Sequence, residues 1–211
     1  MSAPARLLFL HGWGLDASFW KPLLSRFPGH HAAALDLGYF GPERPDPPRE
    51  FLAAPGPLVA VGHSLGFAAL LRREAPRPDA LACLGGFARF PGPPGAVRAM
   101  RRGLARDPRA VLAAFHEACA LPAHLRPDTS RADSARLAKG LDHLLQWDES
   151  PRLEAWSGPL LALGAEDDTI VPRQAFLERF PGAALLPGGH AFPATRPDET
   201  FRLLQAFLER P

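Results

Sequence analysis

The sequence has few of the features that mark secreted, metal-binding or membrane proteins. Its 211 residues include only two cysteines, Cys83 and Cys119, which are too few for a disulfide framework and lack the spacing of a metal site. No apolar run approaches the roughly 18 residues that a membrane span needs, and the run near the N-terminus is too short for a signal peptide. We therefore predict buried, reduced thiols and a cytoplasmic protein.

An excess of charge of one sign is also lacking, since 24 basic and 22 acidic residues leave a net charge of +2. This value is too small to indicate nucleic acid or a membrane surface as the main partner. Lysine is scarce, with Lys21 and Lys139 as the only two, so arginine carries nearly all the positive charge. The length and the 46% hydrophobic content are typical of one globular domain, which we expect to be a monomer.

Short apolar runs alternate with helical patterns along most of the chain. Strands are predicted at 7–12, 32–38, 58–64, 80–87 and 160–168, with a weaker one at 183–190, and helices at 65–75, 173–180 and 198–210. This alternation predicts an α/β fold, a mostly parallel sheet with helices on both faces. Because 90–156 shows only helical patterns, we expect a helical cap there, inserted into a core formed by 1–89 and 157–211.

Ser64 lies in Gly62-His63-Ser64-Leu65-Gly66, a G-x-S-x-G pattern between a predicted strand and a predicted helix. A serine at such a sharp turn exposes its hydroxyl, and the glycines keep neighbouring side chains from clashing. The N–H of Leu65 points into the same space because the helix begins there, so it is a candidate oxyanion donor. A glycine-flanked serine could instead merely cap the helix, but the strand-to-helix context favours a nucleophile.

The loop after the first strand, "HGWGLDASFW", is expected to supply the second oxyanion donor. Its two glycines allow the backbone to approach the reacting centre closely. The N–H of Trp13 is the candidate, and the indole could form a wall of the acyl pocket. The alternative is that this segment forms only a tight turn.

A nucleophilic serine needs a base, and the base needs an acid that orients it. His190 follows the last predicted strand and falls late, as the chain order Ser, Asp, His requires. His11 and His63 lie inside the motifs, where we expect them to support loops, and packing or exposure explains the other five histidines. For the acid, Asp168 holds the first position of a D-x-[IL]-V-P pattern, and its neighbour Asp167 is the alternative.

With these residues in place, the chain resembles the α/β-hydrolases, whose motifs occur in family order as "LLFLHGWGLDASFW", "VAVGHSLG", "GAEDDTIVP" and "GGHAFPATRPDETFRLLQAFL". The segment 11–15 followed by Trp20 is similar to the pimeloyl-acyl-carrier-protein methyl ester esterases of biotin synthesis. That resemblance continues through "RGLARDPRAVLAAFHEAC" and implies that Phe115 lies in the acyl pocket. The sequence departs from those esterases at His63, where they usually have tryptophan, and at Phe67, which replaces a common glycine.

The resemblance implies a carboxylic ester hydrolase that forms an acyl-enzyme with Ser64, Asp168 and His190 and needs no metal or organic cofactor. The implied substrate is a pimeloyl methyl ester carried on acyl carrier protein. A general carboxylesterase acting on small acyl esters uses the same triad. A hydrolase of C–C bonds, a lyase and a catalytically inactive binding protein of the same fold are further alternatives.

Arginines in the predicted cap suggest how an acidic carrier protein could dock. At helical spacing one side would carry Arg98, Arg102, Arg106 and Arg109. Such a stripe would contribute to the association rate and to orientation more than to affinity. A solvated helix face is the plainer explanation in a chain so rich in arginine.

Overall fold

Six strands form one parallel sheet through the middle of the protein. The computed structural model describes residues 4–209, so residues 1–3 and 210–211 of the predicted segments lie outside it. The strands are β1 (Arg6–Leu10), β2 (His31–Leu35), β3 (Leu58–His63), β4 (Ala80–Leu84), β5 (Leu160–Ala165) and β6 (Ala184–Leu186). All six predicted strands are present, but each ends earlier than predicted because the residues that follow it form loops at the edge of the sheet.

The strand order β2-β1-β3-β4-β5-β6 places β1 between β2 and β3. The chain therefore leaves β1 toward one side and later returns to its other side, and this reversal lies between β1 and β3. All pairs are parallel, and the register aligns Leu10 with Gly62 and His63 with Leu84. In open α/β sheets the ligand crevice forms at the carboxyl ends of the strands, where the order reverses. The loops after β1 and β3 meet there.

Helices cover both faces of the sheet, and β3 is consequently buried at all six of its positions. The helices are α1 (Lys21–Leu24), α2 (Arg49–Ala53), α3 (Leu65–Arg72), α4 (Pro94–Leu104), α5 (Pro108–Ala118), α6 (Ser134–Gln146), α7 (Ser150–Glu154), α8 (Arg173–Arg179), α9 (Phe192–Thr195) and α10 (Pro197–Leu208). The predicted α/β fold with a mostly parallel sheet is confirmed.

Between β4 and β5 the chain forms α4 to α7 and no strand of the sheet. The first two of these helices are separate because the Asp107 carboxylate accepts a hydrogen bond from the Ala110 N–H (2.9 Å) and so begins a new helix. The expectation of one arginine-bearing helix side was therefore wrong. Arg98 and Arg102 lie in α4, Arg106 lies in the turn that follows, and Arg109 lies in α5.

Cys83 and Cys119 are both buried and free, as predicted. Burial raises the pKa of both thiols well above the ordinary value, which keeps them protonated and unreactive. Within residues 4–209, no helix has the length and apolar character required to cross a bilayer.

Candidate active site

Ser64 forms the turn between β3 and α3, with a backbone φ of 55° and ψ of −128°. A non-glycine residue with positive φ is strained by about 1–3 kcal/mol and persists only where its surroundings enforce it. Here the Ser64 N–H donates to the carbonyl oxygen of Leu84 at the end of the neighbouring strand (3.3 Å). The strained turn holds the serine at the carboxyl edge of the sheet.

The glycines on either side of Ser64 are required by close backbone contacts. A Cβ added at Gly66 would stand 2.5 Å from the carbonyl oxygen of His11 and would overlap that of Leu10. A Cβ at Gly62 would stand 2.7 Å from the backbone nitrogen of Phe67. Both obstructions are backbone atoms, which cannot rotate away, so α3 can pack this tightly against β1 and β3 only with glycine at these positions.

His190 and Asp168 form a buried pair in the loops after β6 and β5. The Nδ1–H of His190 donates to Asp168 Oδ2 at 2.7 Å, and the other carboxylate oxygen accepts from the N–H groups of Ile170 and Val171, each at 2.8 Å. His190 is fully buried, whereas the alternative acid Asp167 is exposed. Because the carboxylate can only accept, it holds the proton of neutral His190 on Nδ1 and leaves Nε2 with a free lone pair.

The His190–Asp168 pair lies beside the turn that carries Ser64. A Cβ added at Gly85, one residue after the Leu84 carbonyl that binds Ser64, would stand 3.5 Å from His190 Nδ1. The His190 Nε2 atom has no hydrogen-bond partner among the described residues, so no hydrogen bond joins it to Ser64 Oγ. Catalytic hydrogen bonds are often long without substrate. The structure thus brings the three predicted residues to one edge with the basic nitrogen unoccupied.

The loop after β1 packs directly on the serine side chain. A Cβ added at Gly12 would lie 2.7 Å from Ser64 Cβ and 3.2 Å from Ser64 Oγ. Within the described part of the chain, neither the Trp13 N–H nor the Leu65 N–H donates to another residue. An oxyanion site requires such unpaired backbone donors beside the serine.

Hydrogen bonds to two of the helices between β4 and β5 hold this loop in place. The Trp13 indole N–H donates to the Leu137 carbonyl oxygen of α6 (2.8 Å). From α5, the Nε2–H of His116 donates to the Gly14 carbonyl oxygen (2.7 Å), and burial lowers the pKa of this histidine, which keeps it neutral. Phe115 packs edge-on against Trp13 with ring centroids 4.7 Å apart. The predicted pocket aromatic therefore contacts the predicted oxyanion loop.

The other end of α5 contacts the loops that carry His190 and Asp168. The Cys119 carbonyl oxygen accepts from the Ala191 N–H, and the Ala118 carbonyl oxygen accepts from the Thr169 hydroxyl, each at 2.9 Å. Ser64 is only 5% exposed. Sequence reasoning missed this bridge, and no motif could have indicated it, because the acceptors are backbone carbonyls at a helix end.

A buried acid supports the same loop from β2. Asp36 accepts from the N–H groups of Ala17 (3.0 Å) and Gly38 (2.9 Å) and lies 3.3 Å from His11 Nε2. Burial by itself raises the pKa of Asp36, but the hydrogen bond and charge of His11 and the backbone donors outweigh it and hold the pKa well below its usual value. His11 therefore anchors the loop, as its place in the motif predicts.

A cavity of about 320 Å³ lies between α6 and the start of α3. Its walls include Leu65 but none of Ser64, Asp168 and His190, and they combine apolar and charged groups, among them Tyr39, Glu43, Arg136, Lys139 and Trp147. A larger cavity of about 960 Å³ runs along β2 and is lined by none of the candidate catalytic residues. Across residues 4–209, no group of three or more histidine, cysteine or acidic side chains could hold a metal ion.

Comparisons with known proteins agree with this architecture. Residues 7–203 match the profile of the alpha/beta hydrolase family. The fold is similar to an esterase from Exiguobacterium antarcticum (16% identity, 100% of this chain, 94% of that chain, TM-score 0.81) and a bromoperoxidase from Bacillus anthracis (17%, 99%, 93%, 0.81). It is also similar to an enol-lactonase from Burkholderia xenovorans LB400 (19%, 98%, 92%, 0.76). No curated protein sequence matches the chain.

Proposed function

The chain belongs to the alpha/beta hydrolase family, and from this premise we propose that it cleaves carboxylic esters through an acyl-enzyme formed on Ser64. One observation supports this activity above all others. The buried His190, bonded to Asp168 through Nδ1, keeps an unpaired Nε2 beside the strained turn that carries the serine. A base with its lone pair free and its opposite nitrogen fixed is what activation of a serine hydroxyl requires.

In the proposed reaction, Ser64 Oγ attacks the ester carbonyl carbon while His190 Nε2 takes the hydroxyl proton. The oxygen of the tetrahedral intermediate accepts hydrogen bonds from the N–H groups of Trp13 and Leu65, and losing one such donor raises the barrier by about 3–4 kcal/mol. Asp168 stabilises the imidazolium, which then gives its proton to the departing alkoxide. Water, deprotonated by His190, attacks the acyl-enzyme and regenerates the free serine.

Labelling with a fluorophosphonate probe and hydrolysis of p-nitrophenyl acetate test this proposal. We expect the wild-type protein to be labelled and active, and Ser64→Ala to lose both properties. Ser134→Ala is the matched control, because Ser134 is exposed at the start of α6, and it should behave as wild type. Full hydrolysis by Ser64→Ala would show that the nucleophile is another residue. A folded wild-type protein that is neither labelled nor active would indicate a binding protein.

As the specific substrate we propose a pimeloyl methyl ester carried on acyl carrier protein, in biotin synthesis. The "HGWGL" segment and the contact of Phe115 with Trp13 support it. Three arginines of the proposed cap are exposed, and none forms an ion pair within residues 4–209, so they are available to an acidic partner: Arg98, Arg102 and Arg106. The docking surface is then a patch across α4 and the following turn rather than one helix side.

Charge reversal of the patch tests the carrier. The triple variant Arg98→Glu, Arg102→Glu and Arg106→Glu should hydrolyse a carrier-bound ester at least about tenfold more slowly, because steering of an acidic partner is lost. Its hydrolysis of p-nitrophenyl acetate should be unchanged. The matched control reverses three exposed arginines outside the cap, Arg77, Arg173 and Arg202. Equal losses on both substrates, or none, would remove the carrier from the proposal.

A general esterase for small acyl esters is the second candidate, and the closed site favours it. Ser64 is only 5% exposed, and the cavity of about 320 Å³ that the next residue, Leu65, helps to line suits a compact acyl group. The structural similarity to an enol-lactonase makes a cyclic ester a reasonable member of this class. A series of p-nitrophenyl esters from acetate to octanoate separates the candidates, since a steep loss of kcat/KM beyond butyrate supports the small-ester activity.

A further inference from the structure

We infer that His63 is a positioning residue that fixes the distance between the nucleophile and its base; this inference rests on the proposed function. His63 immediately precedes Ser64 and is 1% exposed. Its Nε2–H donates to the backbone carbonyl oxygen of His190 at 3.0 Å. One side chain thus connects the residue before the nucleophile directly to the main chain of the base.

The ring of His63 is held on several sides. It stacks on Phe19 with centroids 4.6 Å apart and an interplanar angle of 29°, and it meets Trp20 edge-on at 6.3 Å. The ring of His190 also lies 4.6 Å away, at an interplanar angle of 46°. With the ring fixed by Phe19 and Trp20, the hydrogen bond to the His190 carbonyl anchors the base relative to the nucleophile, in addition to its bond to Asp168. A displacement of about 1 Å between reacting groups can cost on the order of 100-fold in rate.

His63 holds this position as a neutral imidazole protonated on Nε2. A carbonyl oxygen only accepts, so Nε2 must carry the proton. Burial, followed by the nearby His190 and His11, lowers the pKa of His63 well below its ordinary value. Two carboxylates face this set, Asp168 bonded to His190 and Asp36 at 3.3 Å from His11 Nε2. Because His63 stays neutral, it does not repel the positive charge that His190 acquires during the reaction.

The second ring nitrogen of His63, Nδ1, has no hydrogen-bond partner among residues 4–209. A Cβ at Gly12 would stand 3.1 Å from it, so the oxyanion loop covers this side of the ring. A histidine kept only for packing would give no reason to bury an unpaired nitrogen. The geometry points to the Nε2 donor as the property that this position requires.

Two substitutions separate the donor from the packing. His63→Phe keeps an aromatic ring against Phe19 and removes the donor, whereas His63→Gln places an amide N–H at the same number of bonds from the main chain. We expect His63→Phe to lower kcat by about 10- to 100-fold with KM nearly unchanged, because positioning of the base is lost. His63→Gln should recover at least half of that loss on a logarithmic scale, although it packs less well.

A spectroscopic readout detects positioning independently of activity. In wild type the His190 Nδ1–H, bonded to Asp168 at 2.7 Å, should give a slowly exchanging downfield proton resonance. We expect His63→Phe to speed its exchange with solvent and His63→Gln to restore slow exchange. Thermal unfolding of each variant reports whether it is folded. If neither variant folds, nitrogen NMR of wild type still decides: neutral His63 protonated on Nε2 supports the inference, and any other state overturns it.

The outcomes distinguish this inference from the proposed function. A His63→Phe variant within twofold of wild type in kcat overturns the positioning role while leaving Ser64 labelling intact. Equal losses in the Phe and Gln variants overturn it as well, because packing rather than the donor would then matter. A wild-type protein that the fluorophosphonate probe does not label refutes the proposed function itself.

Discussion

Replacing Asp168 with asparagine should invert the hydrogen bonding of the proposed base. One carboxylate oxygen accepts from the N–H groups of Ile170 and Val171, and the other from His190 Nδ1. An asparagine must keep its oxygen toward the two backbone donors, because the reverse orientation sets amide hydrogens against both and costs about 1–3 kcal/mol for each unsatisfied group. The amide NH₂ then faces His190 and donates to Nδ1, so the imidazole proton moves to Nε2.

An imidazole protonated on Nε2 cannot take a proton from Ser64. The corresponding change in a serine protease triad lowers kcat about 10⁴-fold, so we expect a loss of about 10³- to 10⁴-fold, equivalent to about 4–5.5 kcal/mol of barrier. KM should change little, because Asp168 is 8% exposed and lies behind the imidazole. The fold should persist, since the new side chain has the same shape.

Steady-state hydrolysis of p-nitrophenyl acetate measures this loss, with thermal unfolding as the check on folding. Asp167→Asn is the matched control, because Asp167 is the exposed neighbour on the same loop and makes no side-chain bond within the described residues. It should keep wild-type kcat. If the Asp168→Asn enzyme retains more than a tenth of the wild-type kcat, the assignment of the acid is refuted. An equal loss of kcat in Asp167→Asn would refute it as well.

Three further predictions concern packing and charge. Gly66→Ala should lower the free energy of unfolding by about 1–3 kcal/mol and slow fluorophosphonate labelling, because its Cβ would stand 2.5 Å from the His11 carbonyl oxygen. Gly182→Ala is the control, because its Cβ would meet no atom within 4 Å. Trp13→Phe should lower the free energy of unfolding by about 1–3 kcal/mol in chemical denaturation, since it removes the 2.8 Å hydrogen bond to the Leu137 carbonyl oxygen and part of the buried indole surface, and an unchanged midpoint would contradict this. Burial lowers the pKa of His63 in the folded state, so below pH about 6.5 the unfolded chain binds more protons than the folded chain. The free energy of unfolding should therefore fall as the pH decreases from about 6.5, by up to about 1.4 kcal/mol per pH unit. Denaturation curves at pH 7.5, 6.5 and 5.5 should show a smaller decrease for His63→Phe, and an identical decrease would contradict a neutral buried His63.

Much of the candidate site could be predicted because its chemistry is local in sequence. Gly62, Ser64 and Gly66 are separated by single residues, so one strand-to-helix turn fixes their relation and the backbone clashes that exclude other residues. Asp168 and His190 each follow a strand, and parallel strands bring their carboxyl ends to one edge. The prediction of one arginine stripe was wrong because it assumed regular helical spacing over twelve residues. The helix cap at Asp107 interrupts that spacing by starting a new helix.

The sequence by itself determined the order of strands and helices, the strained serine turn and the two loops that approach it, because alternation, glycine spacing and strand ends are properties of short segments. Only the tertiary structure decided that α5 bridges the oxyanion loop and the His190 loop. It alone decided, too, that His63 donates to the backbone of a residue 127 positions away. Those contacts depend on the angle and depth at which helices pack on the sheet. That packing is set by the whole core and involves backbone carbonyls, which are the same in every residue and leave no trace in a sequence.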